Sequence, residues 1–211
     1  MTAVTLKEQA YLKLKELIVQ GELKSGDFLT ERTLVDMLGM SRTPIRSALE
    51  RLDAEGLANY TPNKGLIVAE MSIRKAIDLY DYRIALETHV VRRLAERYWE
   101  EEDDLWFRSN LEEQERSMLA EDNVAFTTAD AAFHRKLAQI NGNSEIESAM
   151  DRLQDKLYQV ANTVLRKERG RIRVSFEDHT QIVQFIRDGN GAAAAEAMER
   201  HLEYGKRILI M

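Results

Sequence analysis

The segment 30–69 constrains the fold most, because short helices, a tight turn and a hairpin follow one another within it. A helix is predicted over about 30–38, and a second begins at Ser41, whose side chain suits a helix N-cap. The apolar stretches 57–61 and 66–69 flank the turn sequence PNKG, which predicts a β-hairpin. Together with a preceding amphipathic helix, this order predicts a winged helix-turn-helix.

The third helix of such a motif enters the major groove of DNA with its N-terminal end first. Arginine suits that end because its planar guanidinium can bond guanine O6 and N7 together, although for any single arginine a solvated surface charge is the favoured interpretation. Arg42 and Arg46 lie one turn apart, which favours DNA contact. The predicted reading residues are Ser41, Arg42, Thr43 and Arg46, with Arg32 near the same end and Asn63, Lys64 and Gly65 at the wing tip.

The sequence changes character after residue 70, where proline is absent and no strand-like alternation occurs. The periodicity and the glycines predict about six helices, near 72–99, 101–120, 122–140, 144–168, 174–188 and 191–210. The apolar stripe of the first runs from Ile73 to Tyr98. We therefore expect domains at 1–70 and 71–211, and a mainly α fold: three helices with a small hairpin wing, followed by an all-α antiparallel bundle.

Composition excludes several classes of protein. Cysteine is absent, which excludes disulfides, thiolate metal sites and cysteine nucleophiles and fits a reducing cytoplasm. No long uncharged apolar run or signal peptide is evident, so no membrane association is expected. The net charge of −6 requires any DNA binding to come from a local basic face. A nucleophile elbow and a phosphate-binding P-loop are both missing, which argues against those enzymes.

Three of the four histidines share an inward-facing pattern with one aspartate. Asp130 and His134 are spaced i, i+4 on an apolar helix face, and His179 and His201 each lie on the apolar stripe of a later helix. A buried carboxylate needs compensation, which a divalent cation bound by three imidazoles and one carboxylate supplies. Hydrogen-bonded core histidines are the alternative. His89 has no such neighbours and is expected to be structural or exposed.

The motif SRTPIRSALERL at 41–52, followed by EGL and NKG, resembles the winged helix-turn-helix domain of the GntR family. The chain differs in having Ser25-Gly26 where that family often has Pro-Gly. The resemblance implies base contacts from Arg32, Arg42 and Arg46, and wing contacts near Lys64-Gly65. Residues 72–211 resemble the FadR-type sensor domain called FCD. Its pattern of Asp-x-x-x-His and two later histidines implies metal ligands at Asp130, His134, His179 and His201.

The motif YRIALE at 82–87 resembles the FCD pattern and implies an inward role for Arg83. Arg83 and Glu87 then bind a small carboxylate effector beside the metal, or they form an ordinary i, i+4 ion pair. Three imidazoles and one carboxylate are compatible with zinc, nickel, manganese or iron, so the ligands do not identify the metal.

The leading prediction is a cytoplasmic transcriptional regulator that acts as a repressor. No enzyme activity is expected. The regulator would bind a palindromic double-stranded DNA operator as a homodimer under the control of a small organic acid. The alternatives are a metal-dependent enzyme that uses the same cluster, with Glu87 as a base, and a regulator whose metal is purely structural.

Overall fold

Helices dominate the computed structural model, which describes residues 4–97, 99–168 and 170–211. The chain divides into two compact units, Met1–Ser72 (unit 1) and Ile73–Met211 (unit 2). The predicted fold class is confirmed, because unit 1 combines helices with a small sheet and unit 2 is helical. Within the described part of the chain, no helix is both long and apolar enough to cross a membrane.

Unit 1 has the predicted helix-turn-helix and wing. Its elements are α1 (Leu6–Val19), β1 (Phe28–Leu29), α2 (Glu31–Leu38), α3 (Arg42–Ala54), β2 (Ala58–Thr61) and β3 (Gly65–Val68). The strands form an antiparallel sheet in the order β1-β3-β2, in which Tyr60 pairs with Leu66 and Phe28 pairs with Ile67. Strand β1 could not be predicted from the sequence, since two residues are too few to show an alternating pattern.

Capping residues and glycines explain where the helices of unit 1 begin and end. The Thr30 hydroxyl accepts a hydrogen bond from the Thr33 backbone N–H at 3.1 Å and caps α2. Gly39 ends this helix in the left-handed conformation, at φ 63°. Ser41 occupies the N-cap of α3, but its side chain makes no capping hydrogen bond. The apolar faces of the elements close over one core that includes Leu14, Leu34, Ile45, Leu49 and Leu66.

Unit 2 contains six helices within the residues that the structure describes. They are α4 (Ile73–Ala95), α5 (Glu101–Leu119), α6 (Asn123–Ile140), α7 (Ser144–Lys167), α8 (Arg171–Arg187) and α9 (Gly191–Ile210). Helix α9 packs closely along α4, where a Cβ at Gly205 would lie only 2.6 Å from the Tyr80 hydroxyl. Helices α6, α8 and α9 carry the four residues of the predicted metal site.

Two helix boundaries in unit 2 differ from the predicted ones. Helix α4 ends at Ala95 instead of near residue 99, and the predicted stripe residue Tyr98 lies outside the described residues. Ile73, at the start of that stripe, is 58% exposed and does not contribute to the core. Helix α8 begins at Arg171 instead of near residue 174, because Gly170 adopts a left-handed N-cap conformation that allows the chain to turn there.

Candidate functional sites

The four residues predicted to bind a metal lie together inside unit 2. Asp130, His134, His179 and His201 are all buried, and each offers one ligand atom within 4.8 Å of the others. The His179 Nε2 and His201 Nε2 atoms are 3.3 Å apart. The nearer Asp130 oxygen is 3.7 Å from His179 Nε2 and 3.9 Å from His134 Nε2. The Phe133 ring stacks on the His179 imidazole at 4.2 Å and covers one side of the cluster.

A chain of hydrogen bonds assigns the tautomer of His179. The Ala129 carbonyl oxygen can only accept, and it receives a hydrogen bond from Asn110 Nδ2 at 3.0 Å. Asn110 Oδ1 then accepts from Gln114 Nε2 at 2.7 Å, which leaves Gln114 Oε1 as the acceptor for His179 Nδ1, also at 2.7 Å. His179 Nδ1 therefore carries the proton, and the lone pair of Nε2 points into the cluster.

His134 is oriented by an ion pair on α4. Its Nδ1 contacts a carboxylate oxygen of Glu87, whose other oxygen accepts a hydrogen bond from Arg83 Nε at 2.6 Å. Burial acts to raise the pKa of Glu87, but its interactions with Arg83 and His134 outweigh burial and hold that pKa at about 2. An ionised carboxylate only accepts, so His134 Nδ1 is the donor. His134 Nε2 is buried and has no hydrogen-bond partner among the described residues.

His201 has two polar neighbours at Nδ1. Asp178 Oδ2 lies at 3.1 Å and Arg171 Nη2 at 3.3 Å, but Arg171 Nη2 also donates to the His201 carbonyl oxygen at 3.1 Å. The closer carboxylate makes Nδ1 the donor and leaves the Nε2 lone pair free. Burial, together with neighbouring histidines and arginines, holds the pKa of His179 and of His201 well below the usual range, so both imidazoles are neutral.

This arrangement fits a divalent cation. Three imidazole Nε2 atoms, two of them on rings that are neutral, converge on one point beside a carboxylate, an arrangement that a positive charge between them would stabilise. Adjacent ligand atoms held about 2.1 Å from one ion lie about 3.0–3.4 Å apart, close to the 3.3 Å between His179 and His201. A hydrogen-bonded Nδ1 on each ring is also the usual support for metal-bound histidines.

A narrow pocket that opens to solvent adjoins the cluster within unit 2. Arg83, Asp130 and His134 line one part of it, and Arg135 contributes a second guanidinium. Met150 and Leu157 of α7 add an apolar lining to the pocket. Glu87 does not line this pocket, because its carboxylate is turned towards His134 and Arg83.

The residues predicted to read DNA lie in unit 1 on α2, α3 and the wing. Most of their side chains are exposed, namely Arg32, Ser41, Arg42, Thr43, Asn63 and Lys64. The Arg46 side chain is 42% exposed, and Gly65 is buried. Gly65 has φ 137°, and a Cβ there would lie 2.2 Å from the Leu29 carbonyl oxygen, so packing explains this glycine. Contact of these residues with DNA remains a prediction.

Comparisons with known proteins agree on one family. Residues 6–68 match the family described as bacterial regulatory proteins, gntR family, and residues 78–204 match the FCD domain. The chain belongs to the GntR family and carries an FCD domain. It is similar to the gluconate operon transcriptional repressor of Bacillus subtilis, with 30% identity over 81% of this chain and 68% of that protein.

Two further comparisons cover almost the whole chain of this GntR-family protein. An HTH-type transcriptional regulator in an unstable DNA locus of Streptomyces ambofaciens is 30% identical over 94% of this chain and 82% of its own length. The solved structure of E. coli McbR/YncC shares the fold, with a TM-score of 0.82, 20% identity, and 99% and 98% coverage of the two chains. These findings confirm the prediction of a DNA-binding transcriptional regulator and leave the metalloenzyme alternative without support.

Several residues of this GntR-family protein that surround the two sites were not predicted from the sequence. The unpredicted residues around the metal-binding cluster are Asn110, Gln114, Arg171 and Asp178. Those in the DNA-binding unit 1 are Glu31 and Tyr60. The i, i+4 spacing of Asn110 and Gln114 was visible on α5. His179, the partner of Gln114, lies 65 residues away in the sequence, a separation that no local pattern reveals.

Proposed function

We propose that this GntR-family regulator holds one divalent metal ion at Asp130, His134, His179 and His201, and that a small carboxylate bound beside the ion controls its affinity for operator DNA. The convergence of three Nε2 lone pairs and one carboxylate inside unit 2 carries the metal part of this proposal. Zinc, nickel, manganese and iron all suit such nitrogen and oxygen ligands. The ion would supply a positive charge that a carboxylate can approach.

The adjoining pocket supports a carboxylate as the effector. Arg83, which pairs with Glu87, and Arg135, which pairs with Asp151, bring guanidinium groups to a space that also has an apolar lining. Such a space suits a small acid with a nonpolar portion. Arg83 lines the pocket while its Nε donates to Glu87, so the ion pair and a binding role are compatible. Glu87 supports the site indirectly by holding Arg83 and His134. A relative named for the gluconate operon makes sugar acids a first class to test.

We further infer that two copies of the chain bind a palindromic operator. In a helix-turn-helix dimer, the two reading helices enter successive major grooves, and a two-fold symmetric site matches that arrangement. An acid that binds one arrangement of the protein better than another shifts operator affinity by that difference. The acid is expected to release the operator if the chain is a repressor.

A thermal-melt screen tests the effector site. The metal-loaded protein is melted with small monocarboxylic, dicarboxylic and sugar acids, and a ligand at 100 times its Kd adds about 2.7 kcal/mol of stability. We expect at least one acid to raise the Tm of the wild type and to lose this effect in Arg83→Ala. Arg173→Ala, on an exposed arginine outside the pocket, is the control and is expected to respond like the wild type. An acid that stabilises Arg83→Ala equally would contradict the assigned pocket.

Gln114 offers a test of the metal site that does not depend on the effector. In Gln114→Leu, His179 Nδ1 loses its acceptor, and we expect metal affinity to fall by about 10–100-fold. Gln114→Glu keeps an acceptor at the same place and is expected to retain metal binding. Calorimetric titration of the metal-free proteins measures both values. Equal affinities of Gln114→Leu and the wild type would show that this hydrogen bond does not hold the ligand.

A further inference from the structure

Glu31 is a buried carboxylate at the start of α2, in the middle of the DNA-reading unit, and it is only 8% exposed. One of its oxygens accepts a hydrogen bond from Arg46 Nε of α3 at 3.0 Å. The other accepts from the Tyr60 hydroxyl at 2.8 Å and from the Asn63 backbone N–H at 3.1 Å. A single side chain thus joins the supporting helix, the reading helix and the wing.

Arg46 is held from two sides by this arrangement. Its Nε binds Glu31, and its Nη2 donates to the Asn63 side-chain oxygen at 2.7 Å. These bonds use two of the five N–H donors of a guanidinium and fix the direction in which the others point. Asn63 itself has φ 64°, an uncommon conformation for a residue other than glycine, and its backbone N–H is anchored by Glu31.

The charge state of Glu31 agrees with this geometry. Burial acts to raise the pKa of Glu31, but hydrogen bonds from Tyr60, Arg46 and Asn63 outweigh it and lower that pKa. Burial and the hydrogen bond to Glu31 raise the pKa of Tyr60 to about 12, so the tyrosine stays a donor. The group facing Arg46 at neutral pH is therefore an anion in a protein that must approach anionic DNA.

We infer that Glu31 is a positioning residue for operator discrimination: it fixes the Arg46 guanidinium relative to the wing and thereby favours the operator over other sequences. This inference rests on the proposed contact between Arg46 and a base. A fixed guanidinium can make a directional, bidentate contact with one base, whereas a mobile one binds any nearby phosphate. The negative charge of Glu31 also opposes the sequence-independent attraction to the phosphate backbone. The charge of Glu31 therefore weakens phosphate-driven binding to every duplex, and its hold on Arg46 raises specificity.

Glu31→Gln separates the two halves of this network. An amide oxygen can still accept from Tyr60 and Asn63, but the amide NH2 that faces Arg46 Nε cannot accept a hydrogen bond. The substitution thus removes one of the two bonds that hold Arg46, leaves the bond from Arg46 Nη2 to the Asn63 side chain, and keeps the wing anchored. Tyr60→Phe is the matched control, because it removes a donor from the other oxygen and leaves the Glu31–Arg46 ion pair in place.

The test is a fluorescence anisotropy titration at fixed salt, with full-length protein, an operator selected from random duplexes, and a scrambled duplex of the same composition. We expect Glu31→Gln to bind the scrambled duplex more tightly than the wild type does. Its preference for the operator over the scrambled duplex is expected to fall by about 10-fold. Tyr60→Phe is expected to keep that preference within about 3-fold of the wild-type value, a small change for one neutral hydrogen bond.

An unchanged operator preference in Glu31→Gln would overturn the inference. A parallel loss of affinity for both duplexes would also overturn it, because a merely structural residue would weaken both. Adding Glu31→Gln to Arg46→Ala is expected to change the preference no further, since the two residues act through one contact. If Arg46→Ala alone leaves the preference intact, the proposed base contact fails. If only Glu31→Gln does so, Arg46 reads DNA without help from Glu31.

Discussion

Replacing Arg46 with alanine is expected to weaken operator binding by about 1–3 kcal/mol, which corresponds to roughly 5- to 150-fold in Kd at 25 °C. Arg46 lies in the first turns of α3, the end of the helix that meets base edges in a winged helix-turn-helix. Its side chain is 42% exposed and is held by Glu31 and Asn63, so it can present a guanidinium edge in a defined direction. The loss should concentrate on a single base pair of the operator.

Lys64→Ala provides the contrast for this experiment. Lys64 is exposed in the turn of the wing, where a lysine meets phosphate and carries no sequence information. Its removal is expected to weaken binding to all duplexes by a similar factor and to lower the slope of log K against log salt by about 1. Specific binding that survives Arg46→Ala unchanged at fixed salt would contradict the assignment of α3 as the reading helix.

Removing the metal ion is expected to lower the thermal stability of unit 2. Without a cation, three inward-facing lone pairs and the Asp130 carboxylate remain buried close together, which is costly. A metal present at 100 to 1,000 times its Kd adds about 2.7–4.1 kcal/mol to the free energy of unfolding. Melting the protein before and after treatment with a chelator, together with elemental analysis, measures both the stabilisation and the number of ions bound.

Two histidine variants make this measurement specific to the cluster. His179→Ala removes a ligand and is expected to abolish the stabilisation by added metal and reduce the bound ion below one per chain. His89→Ala removes an exposed histidine of α4 that is not part of the cluster, and it is expected to behave like the wild type. A metal-independent Tm in the wild type, with no ion retained, would contradict the metal site.

The sequence predicted the helical architecture well because its signals are local. Gly39 and Gly170 take left-handed conformations at helix ends, and Thr30 caps α2. The residues that mark helix boundaries in the sequence are therefore the residues that form them in the structure. The inward placement of Asp130 and His134 follows in the same way from their apolar neighbours on α6. The two-residue strand β1 and the early end of α4 carry no comparable signal.

The hydrogen-bond networks around the two sites were not predictable from local patterns. In the sequence, Glu31 has the pattern of an ordinary acidic residue in the first turn of a helix. In the structure it binds the backbone of Asn63, which lies 32 residues away. Gly65 was predicted as a wing-tip contact, and its close approach to the Leu29 carbonyl oxygen, which requires a glycine there, could not be predicted. Such roles depend on tertiary proximity, which only the folded chain reveals.

Control of DNA binding by a carboxylate is tested most directly by operator affinity at fixed salt. It is measured for the metal-loaded protein with and without each small acid of the melt screen. We expect an acid that stabilises the wild type to change its operator affinity by about 5- to 150-fold, the usual range of coupling between two sites. In Arg83→Ala, compared at metal content and acid-free operator affinity shown to match the wild type, the same acid is expected to have no effect. Operator affinity that no acid alters, in a protein that holds its metal, would show that the ion is structural and would contradict control by a carboxylate.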